Sequence, residues 1–187
     1  MENVINQAVE VLRKGGLILY PTDTVWGVGC DATNREAVDR VYRLKGNTSK
    51  EAMLVLCKSS DMVLRYSSNI PSVALDVMDI TDKPTTLILP NAVGVAKNLI
   101  PEARTIGVRV PDHEFCQRLL HKFGRAIVST SANLSGEVTP LYFGDISSKI
   151  VDGVDYVVDK KCEGNPTRKP SAIISFNELG GVKIIRS

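Results

Sequence analysis

The stretch LILYPTDTVWGVGCDA, residues 17–32, decides how the rest of the chain is read. An apolar run through Tyr20 meets Pro21, then three small polar residues, Thr22, Asp23 and Thr24, and then glycines at 27 and 29. A strand that only has to end needs one turn residue. Proline cannot donate to a sheet ladder, and glycine lets backbone approach a neighbour or a ligand closely. The segment therefore reads as a buried strand running into a polar, glycine-bearing connection that either cradles a ligand or simply turns. A helical pattern opens at Thr33. Thr33-x-x-Glu36 matches a capping box, Ala37, Val38, Val41 and Leu44 share a face, and Gly46 closes the helix.

Working outward, residues 3–13 form a helical pattern stopped by Gly15-Gly16. Downstream, AMLVLCK (52–58), TTLILP (85–90), TIGVRVP (105–111) and RAIVSTSAN (125–133) read as strands. Helical segments at 61–66, 72–80, 95–100 and 113–124 alternate with them. DYVVD (155–159), SAIISF (171–176) and VKIIR (182–186) are late strands, the last two forming a hairpin across NELGG. Alternation followed by a run of strands predicts one α/β domain, residues 1–187, with a mixed parallel and antiparallel sheet. A chain of 187 residues supports one substantial core.

Bulk chemistry removes several function classes. Hydrophobic residues make up 43%, charged residues 24%, and the net charge is +2, so phosphate affinity has to come from a lined groove rather than from overall charge. Aromatics at 5% disfavour stacking recognition of single-stranded nucleic acid. Cys30, Cys57, Cys116 and Cys162 lie far apart with no C-x-x-C, and the histidines, His113 and His121, share one predicted helix. Structural zinc is disfavoured, and buried reduced thiols are expected rather than a disulfide framework. The polar amino terminus predicts neither a signal peptide nor a membrane span, which makes cytoplasm the expected location.

Gly27-x-Gly29-x-x-Ala32 imitates a dinucleotide fingerprint, with Glu51 downstream, but PTDTVW separates its first glycine from the strand end. There is no Walker A sequence. VSTSANLSGE, residues 128–137, crowds hydroxyls and an amide at the end of a strand. An ST-rich loop satisfying its own backbone explains that as well as a ligand site does, and no histidine stands in relation to these serines as a base. Arg109 lies inside an apolar strand, where an unpaired guanidinium is costly, so it meets either a core carboxylate or an anion in a cleft. Lys45 and Lys50 flank Gly46 after the helix, as a solvated terminal turn or as a phosphate clamp.

Taken in order, YPTDTVWGVGCDA, RVYRLKG, TTLIL, TIGVRVP, VSTSANLSG, RKPSAIIS and the final IIR resemble the YrdC family, in its short, single-domain branch. The resemblance implies a twisted mixed sheet with flanking helices around a concave basic cavity, without the extra carboxy-terminal domain of longer relatives. It implies synthesis of threonylcarbamoyl-AMP and pyrophosphate from L-threonine, bicarbonate and ATP with Mg²⁺. The product would pass to a separate transferase complex that modifies tRNA. By motif, Thr22, Thr24, Arg109, Ser129 and Ser171 would hold threonine. Lys45, Thr86, Ser131, Asn133, Thr139 and Arg186 would hold ATP, and Lys45, Lys50 and Arg109 would carry the catalytic charge. Asn47 stands where the family has arginine and no proline follows, so Lys50 is expected to supply the missing charge. Two other readings stay open. One is a module that binds double-stranded RNA or tRNA, for which weak, salt-sensitive binding is expected. The other is a catalytically weak relative of the YciO type.

Overall fold

The computed structural model describes residues 1–46 and 53–187. The opening stretch becomes β1 (Ile18–Tyr20) and β2 (Gly27–Gly29), an antiparallel pair joined by the polar connection. The remaining strands are β3 (Leu54–Leu56), β4 (Thr85–Leu89), β5 (Ile106–Arg109), β6 (Ile127–Ser131), β7 (Tyr156–Val157), β8 (Ala172–Phe176) and β9 (Val182–Arg186). Among the described residues they form one sheet in the order β7-β1-β2-β6-β3-β5-β4-β8-β9. The pairs β7/β1, β3/β5 and β4/β8 are parallel, and the others are antiparallel. The expected mixed open sheet with flanking helices is the observed one.

The helices are α1 (Glu2–Arg13), α2 (Arg35–Leu44), α3 (Ser60–Val63), α4 (Ser72–Ile80), α5 (Glu114–Phe123) and α6 (Ser148–Gly153). In α1, Ile5, Ala8, Val9 and Leu12 recur at helical spacing and bury one stripe, which packs on α5. From α5, Phe115, Cys116, Leu119, Leu120 and Phe123 face the core. Gly124, in the left-handed region at φ 78°, ends α5 where a side chain would strain the backbone.

Three sequence expectations change. Thr33 does not cap α2, because its N–H and hydroxyl both donate to Asp31 Oδ1, at 2.8 and 2.7 Å. That turn moves the cap one residue on, so Asn34 Oδ1 accepts from the Ala37 N–H at 3.0 Å and the helix begins at Arg35. Residues 95–100 yield only a 3₁₀ turn, Lys97–Leu99. The glycine segment, read as a turn or cradle, contains a strand. Gly27 and Gly29 have no side chain to mark it, yet they let β2 lie close to both neighbours. A Cβ on Gly29 would press on the Val128 carbonyl and stand 2.8 Å from the Tyr20 ring.

Gly29→Ala is expected to destabilise the protein by about 1–3 kcal/mol, because backbone rather than a flexible side chain has to give way. Gly144→Ala, where a Cβ meets nothing, should stay within about 0.5 kcal/mol, and denaturant melts compare the two.

All four cysteines are free and buried. Burial pushes the Cys57 thiol from 9.0 up to about 12, and burial likewise raises Cys30 and Cys116. A raised folded-state value leaves stability complete below the unfolded value near 9.0 and lost as pH climbs toward about 12. The thiols' contribution to the melting temperature is therefore expected to be lost only above pH ~9, and a thiol reagent at pH ~8 should label the protein only after denaturant is added.

Candidate active site

Side-chain alternation aims one set of residues at a common space. On β4 these are Thr86 and Ile88, on β5 Gly107 and Arg109, on β6 Ser129 and Ser131, and on β8 Ile173. With the connection from Thr22 to Trp26 they enclose a cavity of about 430 Å³. Of the site residues expected from sequence, Thr22, Thr24, Thr86, Arg109, Ser129, Ser131, Thr139, Ser171 and Arg186 all line it. Lys50 lies outside the described residues. Lys45 and Asn133 are not part of the lining, though both bond to Ser131, which is.

Arg109 is only 4% exposed, and it has the core carboxylate of one sequence reading while lining the cavity that the other requires. Its Nη2 stands 3.3 Å from Asp23 Oδ1, so it has a core carboxylate, and it also faces the cavity. Its Nη1 donates to Thr24 Oγ1 at 3.2 Å. Nε has no hydrogen-bond partner among the described residues. A guanidinium carries five N–H donors, so beyond its contacts to Asp23 and Thr24 it keeps donors for a ligand.

The threonine hydroxyls can be assigned proton by proton. Thr22 donates to the Val25 carbonyl at 2.7 Å and accepts from the Thr24 N–H at 3.1 Å. Its one proton is thus committed, so Thr24 donates in the 3.0 Å contact between the two hydroxyls. Thr24 also accepts from Arg109, which leaves it one lone pair. Beside the cationic fork, therefore, the pocket presents an acceptor. Thr86 and Ser171 share a hydroxyl contact of 2.8 Å, and Arg186 Nε donates to the Ser171 carbonyl at 2.8 Å.

Lys45 is 4% exposed, so it is neither a solvated turn residue nor a loosely tethered one. Its Nζ donates to the carbonyls of Ser131 and Asn133, both at 2.7 Å, and the Ser135 N–H returns a bond of 2.8 Å to the Lys45 carbonyl. Ser131 donates to Asn133 Oδ1 at 2.5 Å, and the Asn133 amide donates to the Leu134 and Glu137 carbonyls. The STSANLSG segment is thus clamped by a buried ammonium. Ser131 keeps acceptor capacity toward the cavity.

Sequence reasoning missed Asp23, which lay in plain view between the two threonines, and Trp26. Trp26 lines the cavity, and its Nε1 donates to Glu163 Oε1 at 3.1 Å. His113 donates from Nε2 to the Glu163 carbonyl at 2.9 Å, since its Nδ1 accepts from the Cys116 N–H and caps α5. Among the described residues no three His, Cys, Asp or Glu side chains gather as a metal site. No helix among them is long and apolar enough to cross a membrane.

Comparison with known proteins gives consistent matches. The profile of the family named Sua5, YciO and YrdC, described as telomere recombination, matches residues 10–187. A threonylcarbamoyl-AMP synthase of Pseudoalteromonas translucida is 34% identical over 175 residues, 92% of either chain. The crystal structure of Escherichia coli YciO superposes with a TM-score of 0.85 at 29% identity, covering all of this chain and 90% of that one. The P. abyssi Sua5 structure complexed with L-threonine matches at TM-score 0.82 and 27% identity, over 92% of this chain and 50% of that one. This chain thus spans about half the length of that Sua5.

Removing the Lys45 ammonium leaves two half-buried carbonyls, those of Ser131 and Asn133, without this donor. Lys45→Met is expected to cost about 3 kcal/mol, lowering the melting temperature by roughly 6–12 °C. Lys58→Met, at an exposed position, should change stability by no more than about 0.5 kcal/mol in the same calorimetric scan.

Proposed function

The chain belongs to the Sua5/YciO/YrdC family, and from that premise we propose that it is a threonylcarbamoyl-AMP synthase. Its substrates are L-threonine, bicarbonate and ATP, and its product feeds the threonylcarbamoyladenosine modification of tRNA. The observation that carries this reading is the pairing of a half-used guanidinium with a hydroxyl lone pair in one cavity. Arg109 suits a carboxylate, and the remaining acceptor on Thr24 suits an ammonium a few ångströms away. Together they fit the two ends of an amino-acid zwitterion. The apolar walls at Val25, Trp26, Met53 and Leu54 exclude water around it.

In this reading the threonine amine, once deprotonated, combines with bicarbonate to give a carbamate and water. A carbamate oxygen then attacks the α-phosphorus of ATP, and the bond to pyrophosphate breaks. The carbamate is already nucleophilic, so no activated serine or cysteine is required. The buried, raised thiol of Cys116 is unsuited to that role in any case. Catalysis is positioning of two anions that repel one another, with charge compensated by basic residues. Arg186 and Thr86 on the cavity wall are assigned to ATP, together with Thr139. Ser131, whose proton is committed to Asn133, suits a donor on the nucleotide better than a phosphate oxygen. Lys45 serves by holding the Ser131–Asn133 segment in place, and Lys50 is assigned to the phosphates. Mg²⁺ enters with ATP as part of the substrate.

The test is pyrophosphate release that requires both L-threonine and bicarbonate. Arg109→Ala should reduce it roughly 10²-fold or more, and Lys50→Ala should do the same while Lys58→Ala leaves it near the unmutated rate. No threonine-dependent turnover by the unmutated protein would favour the catalytically weak reading, for which Asn47 in place of the family arginine is the sequence ground. Tight RNA binding that survives high salt would instead favour the RNA module.

A further inference from the structure

We infer that Asp23 is a positioning residue for substrate carboxylate recognition, acting through Arg109. The inference rests on the reading of the cavity as an amino-acid site. Asp23 is 6% exposed and does not itself line the cavity. Neither of its carboxylate oxygens has a hydrogen-bond partner among the described residues. Its described compensation is the ion pair with Arg109 at 3.3 Å.

As a source of stability this arrangement is poor. Taking two charges out of water is costly, and the loss is recovered only when further hydrogen bonds saturate both groups. Here they do not. What the arrangement does supply is orientation. Nη2 faces Asp23 and Nη1 faces Thr24, so two consecutive residues fix the two ends of one planar fork. The segment bearing them is itself pinned, because the Thr167 and Arg168 N–H groups donate to the Asp23 and Thr24 carbonyls at 2.8 and 3.0 Å. A guanidinium held at one point rotates, whereas one held at two points presents its unused donors in a single direction. Bidentate recognition of a carboxylate demands that direction.

Calorimetric titration of the whole chain with L-threonine, and with L-threoninol, which lacks the carboxylate, tests the idea. Asp23→Asn keeps the shape and removes the charge, while Asp23→Glu keeps the charge and moves it by one methylene. Asp23→Glu therefore remains informative if Asp23→Asn fails to fold. The expected result is a rise in the dissociation constant for L-threonine of about tenfold or more in each folded variant. L-Threoninol should bind each variant as it binds the unmutated chain. On an Arg109→Met background the Asp23 substitutions should add nothing, since the residue acts through Arg109. Unchanged L-threonine affinity in the Asp23 variants overturns the inference. So does tighter binding in Asp23→Asn, which would make the carboxylate a competitor of the substrate, and so does equal weakening for both ligands, which would make it merely structural. If the unmutated chain binds no L-threonine, the proposed function fails and the inference fails with it.

Discussion

A guanidinium taken almost wholly out of water at Arg109 is the constraint around which this molecule is arranged. Such a group cannot be left unpaired in an apolar sheet. The chain meets the demand with Asp23 and Thr24 from the β1–β2 connection, which must then be long enough to reach β5 across the intervening strands. That requirement accounts for the six residues Pro21 to Trp26, where a tight hairpin would have used two. Once the connection is pulled inward, the space above it becomes a cavity. The ion pair and the pocket are two aspects of one arrangement.

A second buried cation supports the opposite wall. Lys45, at the carboxy-terminal end of α2, donates to the carbonyls of Ser131, the last residue of β6, and Asn133 just beyond it, and thereby joins a helix end to a strand end. Residues at a strand end normally satisfy their own backbone through local side chains, as Ser131 and Asn133 partly do. Adding an ammonium from another element removes the remaining freedom. The two basic residues thus divide the work: Arg109 keeps donors for a ligand, while the described contacts of Lys45 go to protein carbonyls.

Much of this was legible in the sequence because it depends on period and punctuation. Apolar runs located the strands at 85–90, 105–111 and 171–176, and the NELGG hairpin followed from its glycines. The hydroxyl-rich strand ends and Arg109 were marked by being polar where an apolar residue would pack. The missed features share a different physics. Gly27–Gly29 is a strand with almost no side chains, so no periodicity reveals it. Asp23 as the partner of Arg109, and Glu163 as the acceptor for Trp26, depend on residues that meet only through the fold, the latter pair separated by 137 positions. The targets of Lys45 are backbone carbonyls, which carry no residue identity to read. Thr33 was misassigned because Asp31 competes for its hydroxyl, a local contest that capping patterns do not weigh.

The bonds from Thr167 and Arg168 back to Asp23 and Thr24 also bear on when the site comes into being. A chain made from its amino terminus exposes the Pro21–Trp26 connection early, long before β8 exists to lie beside β4. Until then Ser171 and Arg186 are absent and the connection lacks its backbone partners. Pairings this distant along the chain close slowly, since loop entropy must be overcome before they stabilise anything. The cavity is thus complete only once the last strands have been made. A nascent or truncated chain lacking its final strands would expose a half-built, cation-bearing sheet face, and substrate would have no complete site to enter until synthesis is nearly finished.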